Sequence, residues 1–110
     1  MINWNDFDKV DMRVGTVMDV LDFPEARNPA YKLTIDFGEE IGIRKSSAQI
    51  TEKYNKAALL GKQIVAVLNF PPKQIANFMS ECLVLGIIGE ETGVVLLQPT
   101  EQVANGLRVA

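Results

Sequence analysis

The sequence predicts an all-β chain: a barrel of five strands, one helix between the third and fourth, and a short strand pair appended at the C-terminus. Three observations carry that reading. Apolar and polar residues alternate with period two over 12–20 and 31–37, as in strands with one face on a core. The run Ile64-Val65-Ala66-Val67-Leu68 is continuous and rich in β-branched residues, as in a central strand buried on both faces. Between them, Thr51 to Leu60 changes to helical spacing.

The elements follow in order. In the first strand Met12, Val14, Met18 and Val20 share the predicted core face, with Arg13, Gly15 and Asp19 opposite. Two prolines bound a loop over Phe23 to Pro29. Tyr31, Leu33, Ile35 and Phe37 alternate with Lys32, Thr34 and Asp36 in the second strand. Gly38-Glu39-Glu40 is a short turn, so the third strand returns antiparallel. There Ile41, Ile43 and Ser47 share one face, and Arg44 and Ser46 take the other. Thr51 is placed to cap the helix, Glu52 suits its first turn, and Gly61 stops it. Asn69-Phe70-Pro71-Pro72 ends the fourth strand, because proline donates no ladder hydrogen bond. Lys73 to Ser80 has no clear period and reads as a loop. Leu83 to Ile88 is the fifth strand, Val94 to Leu97 a sixth, and Asn105-Gly106 a turn before Leu107 and Val109. This order describes an OB-fold barrel, although another small α+β sandwich shares it. In an OB-fold the ligand surface lies on strands 2 and 3 and the loops 1–2 and 4–5. Here those are residues 24–29, 71–80 and the face holding Arg44 and Ser46.

Composition narrows the chemistry. The 110 residues suit one domain spanning 1–110, and 47% hydrophobic with 23% charged is ordinary for a globular chain. There is no histidine and one cysteine. A His-based triad, a histidine general base, a His-containing zinc site and a thiolate cluster are therefore excluded, and neither cofactor nor metal is expected. Paired-carboxylate and phosphate-loop motifs are absent as well, so the sequence leans against an enzyme. The longest apolar run, Cys82 to Ile88, is too short to cross a bilayer, so no membrane partner is expected. No secretory signal is visible at the N-terminus, and a cytoplasmic location is expected.

The net charge of −3 is unevenly spread. From Arg44 to Lys73 the balance is +5, and the rest of the chain carries −8. Such asymmetry marks either a polyanion-binding face or a solvated lysine-rich helix.

Several separated motifs carry a resemblance. Asp6-Phe7 and Val10-Asp11-Met12-Arg13-Val14-Gly15-Thr16-Val17 open it. It continues through Pro24, Leu33 to Gly38, Arg44, Ser46-Ser47, Leu60-Gly61-Lys62, Val67 to Pro72 and Ser80-Glu81. Together these resemble the tRNA-binding domain family over roughly residues 6 to 88. Phe23 to Arg27, Ser46 to Thr51, Asn69 to Pro72 and Val94 to Pro99 are similar to its CsaA subfamily. The resemblance implies a homodimeric, non-enzymatic OB-fold protein that binds tRNA by shape and backbone charge. It also implies the alternative of an export-related chaperone for unfolded or precursor polypeptides. Many members place glycines before and directly after the Ser-Glu pair, where this chain has Asn77 and Cys82. An altered loop geometry is expected there.

Arg13, Arg44, Lys45 and Lys73 are candidates to grip phosphate, Arg13 and Arg44 having Asp11 or Asp36 as alternative partners. Ser46 joins them from the strand-3 face. Asn69, Ser80 and Glu81 match the family's loop motif, and suit either ribose and base edges or local backbone groups. Arg27 and Lys32 border the first loop as weaker candidates. Phe70 and Phe78 can stack on bases, line a peptide groove or plug the barrel end. Trp4, Phe7, Val94 and Leu96 are the candidates for a dimer interface, since the two terminal stretches hold more apolar surface than the barrel needs.

Overall fold

A computed structural model describes residues 1–110. A five-stranded antiparallel sheet curls into a nearly closed barrel. Its strands are β1 (Met12–Asp22), β2 (Tyr31–Asp36), β3 (Ile43–Ala48), β4 (Gln63–Val67) and, after the hairpin described below, β7 (Leu83–Val84), in the order β3-β2-β1-β4-β7. Phe37, Leu33, Ile35, Leu59, Ile64 and Val17 fill its interior with almost no exposure. β4 is buried at all five positions. One of its faces meets the core, and the chain after residue 96 runs against it, where the Val65 amide donates to Leu97 O and the Gln63 side chain to Val103 O. Gly15 is required by close approach: a Cβ there would lie 2.7 Å from Ile35 Cγ2 and from the Phe37 ring.

β1 departs from simple alternation. Its register with β2 shifts between Val17 and Asp19, so Val17 and Val20 both turn inward. Met18, expected on the core face, is half exposed as a result.

β3 presents the reverse of its expected faces. Its register sets Ser46 opposite Leu33 and Ala48 opposite Tyr31, and all four are buried. Ile43 and Lys45 point outward instead. Pairing with the strongly patterned β2 decides the face, and the apolar Ile43 yields to it.

The helix is shorter than its spacing suggests. α1 (Trp4–Asp8) precedes β1, and α2 spans only Lys56–Leu59. The Tyr54 carbonyl, which a continuous helix would offer to the Ala58 amide, accepts from the Tyr31 hydroxyl at 2.9 Å. The Ala58 amide donates to Asn55 Oδ1 at 2.8 Å, so Asn55 and not Thr51 is the cap. α1 is a single turn closed by reciprocal bonds between Asn3 and Asp6.

The expected loop 73–80 is a hairpin, β5 (Lys73–Ile75) with β6 (Phe78–Ser80), turned by Ala76 and Asn77. The expected strand 83–88 changes partner midway. β7 pairs with β4, whereas β8 (Gly86–Ile87) pairs with β9 (Val95–Leu96). Leu85 sits at the change, its amide donating to Val65 O and its carbonyl accepting from the Leu97 amide. The C-terminal residues return to β1: the Val14 amide donates to Leu107 O and the Val109 amide to Met12 O.

Candidate nucleic-acid interface and apolar groove

The free edge of β3 closes against the segment leaving β6. The Glu81 amide donates to Lys45 O at 2.7 Å, and the Lys45 amide donates to Glu81 Oε1 at 2.9 Å. One step on, the Ser47 amide donates to Ser80 Oγ at 3.1 Å. Ser80 and Glu81 thus complete a ladder with their side chains, which is the backbone-satisfying alternative open to them. The same bonds bring Lys45, Ser80 and Glu81 together, with Lys73 opposite Ser80 across the hairpin. Lys45 and Lys73 are exposed, Arg44 is half-buried, and none of the three has a carboxylate within ion-pair distance. The lysines at and before α2 differ: Lys53 donates to Thr92 Oγ1 at 2.8 Å and Lys56 to Asp22 Oδ2 at 2.9 Å. Asp22 holds the Lys56 ammonium above its ordinary pKa, chiefly through that hydrogen bond.

Two expected residues serve other partners. Arg13 Nε donates to Asp11 Oδ1 at 2.7 Å and Arg13 Nη1 to Gly106 O at 3.0 Å. Asn69 Oδ1 accepts from the Asp11 amide at 3.0 Å, and its amide nitrogen donates to Lys9 O, tying the end of β4 to the approach to β1. Ser46 leaves the ligand face altogether. It has no exposed surface, and its hydroxyl donates to Cys82 O at 2.9 Å inside the closure.

Beside the hairpin lies a groove of about 740 Å³. Phe70, Ile75, Leu83, Val84, Ile88 and Val94 give it an apolar lining, and Ser47, Lys73, Ser80 and Glu81 form its polar rim. Phe70, Leu83 and Ile88 are 56%, 49% and 82% exposed, so the lining is open to a partner. Phe78 is not among the lining residues. Its ring meets Phe23 edge-on at 5.5 Å, which joins the hairpin to the loop after β1. Sequence reasoning passed over Leu83 and Ile88 because an apolar run reads as a buried strand. The Gly86 inside that run is the signal of the break.

The terminal candidates separate. Trp4 is 87% exposed, Met1 and Ile2 beside it are exposed as well, and Phe7 is half-buried. Val94 is half-buried against the core. Leu96 is part of the core, and its amide donates to the Tyr54 hydroxyl at 3.1 Å, so it is not available to a second subunit. Cys82, directly after Glu81, is buried, and desolvation pushes its thiol pKa up from 9.0 to about 11. Neither Cys82 nor Asn77 takes a left-handed backbone; among the non-glycine residues only Ala76 does, at φ 51°. The positive φ that favours glycine is therefore absent at those two positions. No helix is long and apolar enough to cross a membrane.

Comparison with known proteins gives this geometry a family. A family model described as "Putative tRNA binding domain" matches residues 12–108. The chain is 33% identical over 108 residues to a methionine–tRNA ligase of Thermococcus onnurineus, covering 98% of this chain but only 14% of that protein. Among solved structures it is similar to the chaperone CsaA of Bacillus anthracis str. Ames, with 54% identity, a TM-score of 0.93 and coverage of 100% and 99% of the two chains. The CsaA chaperone protein of Picrophilus torridus is similar in the same way, with 56% identity, a TM-score of 0.94 and full coverage of both chains. An OB-like barrel, a match across nearly its whole length and two CsaA-like relatives mean that the chain belongs to the tRNA-binding domain family.

Proposed function

We propose that this chain is a non-enzymatic tRNA-binding protein of the cytoplasm that recognises folded RNA by shape and backbone charge. The observation that carries the reading is the presence of unpaired cations near the β3 edge, Lys45 and Lys73 exposed and Arg44 half-buried on the other side of the strand, in a chain whose net charge is negative. Cations without carboxylate partners are free to displace counterions from phosphate. Arginine contributes a planar fork and lysine a point charge. The Ser47 hydroxyl on the groove rim adds a group suited to a 2′-hydroxyl contact. Few aromatic side chains are exposed as stacking platforms, which favours a folded tRNA over a single strand.

The test is a titration of a tRNA transcript across salt concentrations. R44A/K73A should weaken binding and flatten the slope of log affinity against log salt by roughly one to two units. K53A/K56A should do much less, since those lysines already serve Thr92 and Asp22. A folded R44A/K73A protein with wild-type affinity and slope would refute the site. Wild-type protein silent toward tRNA even at low salt would refute the function.

The apolar groove favours a second reading, a chaperone holding extended apolar segments of unfolded or precursor polypeptides. The name of the CsaA relatives supports it. The exposed Met1 and Ile2 ahead of the capped turn, and Trp4 at its start, support a homodimer, with light scattering expected at about twice 12.2 kDa and a monomer at micromolar concentration refuting it.

A further inference from the structure

Strand pairing carries one row of side chains from the hairpin across the barrel wall. Lys73 is opposite Ser80, Ser80 Oγ accepts from the Ser47 amide, Ser47 is opposite Lys32, and Lys32 is opposite Leu21. Lys32 sits where the two ligand-side loops of the barrel meet. Its ammonium lies 5.3 Å from the centroid of the Phe23 ring and 6.0 Å from that of Phe78. Phe23 begins the loop after β1 and Phe78 begins β6, and the two rings meet edge to face at 63°.

The ammonium is thus held without being used. No carboxylate lies within ion-pair distance of it, and it donates no hydrogen bond to the protein. The rings attract the positive charge through their faces and consume none of its three N–H donors. A free lysine side chain loses much rotamer freedom when it grips an anion, and one already docked on two rings loses less. Lys45 on the same outward face of β3 and Lys73 on the hairpin extend the positive surface along the row.

We propose that Lys32 is a phosphate-binding residue of this face, pre-oriented by Phe23 and Phe78; the inference rests on the RNA reading above. The ligand group is a backbone phosphate passing over the junction of the two loops. The ring pair acts as the positioning element and the ammonium as the contact.

Three variants test it against the same tRNA transcript. K32M, confirmed as folded by its thermal melt, is expected to lower affinity several-fold and to flatten the salt slope by roughly 0.7 to 0.9, the share of one phosphate contact. K32R should retain most of the slope, because a guanidinium also docks on rings and grips phosphate. F78L keeps the charge and loses one ring, so affinity should fall while the slope stays near wild type; that split separates orientation from charge. A folded K32M with wild-type affinity and slope would overturn the proposal and leave the RNA reading standing. Should K32M not fold, an F78L protein of unchanged affinity would overturn it. Wild-type protein that binds no transcript overturns the RNA reading, and this proposal with it.

Discussion

The two surfaces on either side of the β5–β6 hairpin are built by opposite means. The cationic row comes from pairing: register sets Lys73 opposite Ser80 and Ser47 opposite Lys32, and the bond from the Ser47 amide to Ser80 Oγ joins the two pairs. The apolar groove comes from a failure of regularity. β7 leaves β4 after two residues, Leu85 bonds to both Val65 and Leu97, and the chain swings to β9. That change of partner stops the sheet from closing over Leu83 and Ile88 and leaves them exposed. A regular ladder fixes charges at set spacing, which suits a rigid polyanion. An interrupted one leaves backbone and apolar side chains open, which suits an extended chain. The two surfaces share Ser47, Lys73 and Ser80, which belong to the row and also rim the groove.

The largest expected effect separates the two chemically. F70A and L83D both alter half-exposed positions of the lining and leave the core intact. Each should cost a bound polypeptide about 2 kcal/mol, close to 30-fold in affinity, if these residues are anchors of the groove. Suppression of aggregation of a denatured client should be lost in the double variant while its tRNA salt slope is unchanged. Because Lys73 and the two serines are shared, tRNA should compete with the client in wild-type protein. Free simultaneous binding of both would break the comparison, since it would require sites with no common rim.

A smaller effect tests the closure on which both surfaces hang. Cys82 lies within it, with the thiol directed at Lys45 O and its own carbonyl accepting from Ser46. Burial raises its pKa from 9.0 to about 11. The unfolded chain thus releases this proton at lower pH than the folded one. The stability tied to the neutral thiol is full below pH 9 and lost between 9 and about 11. That loss should be of order 2 to 3 kcal/mol in denaturant melts, and C82A or C82S should not show it. At pH 8 the folded thiol should resist a thiol reagent that reacts promptly once the chain is unfolded. Ready labelling of the folded protein would mean that the closure opens on its own.

The legibility of the molecule follows the same division. β2 could be read directly, since Tyr31, Leu33 and Ile35, with Phe37 just beyond them, hold one face at period two. β4 was legible because a β-branched run has no polar face to show. β3 was not, because Ile43 and Ser46 each contradict the face they occupy and the decision belongs to the register with β2. Met18 was lost to a bulge that leaves no composition signature. The helix was overestimated because the Tyr31–Tyr54 bond that interrupts it is made between residues 23 apart in sequence. In the candidate site, Arg44, Lys45 and Lys73 were proposed from charge and topology, and none of the three has a carboxylate partner. Ser46 was misplaced with the β3 face, Leu96 was taken for surface because a short strand shows no clear phase, and the groove itself was invisible because it arises from a missing pairing.

The smallest effect concerns the hairpin tip that separates the two surfaces. Ala76 adopts φ 51° in the two-residue turn between Ile75 and Phe78. A left-handed backbone costs an alanine roughly 1 to 2 kcal/mol through its Cβ. Glycine removes that clash but adds freedom to the unfolded chain, which returns about 0.4 to 1 kcal/mol. Asparagine tolerates the same conformation through its short side chain and adds no such freedom. A76N should therefore stabilise by up to about 1 kcal/mol, a rise of about 4 °C in Tm for a domain of this size, and A76G by less. Ala76 lines neither the groove nor the lysine row, so binding of tRNA and of client should be unchanged in both variants. A variant that melts higher yet binds either partner more weakly would place the tip itself on that partner's surface, and would shift the boundary between the two regions from Ser80 to the turn.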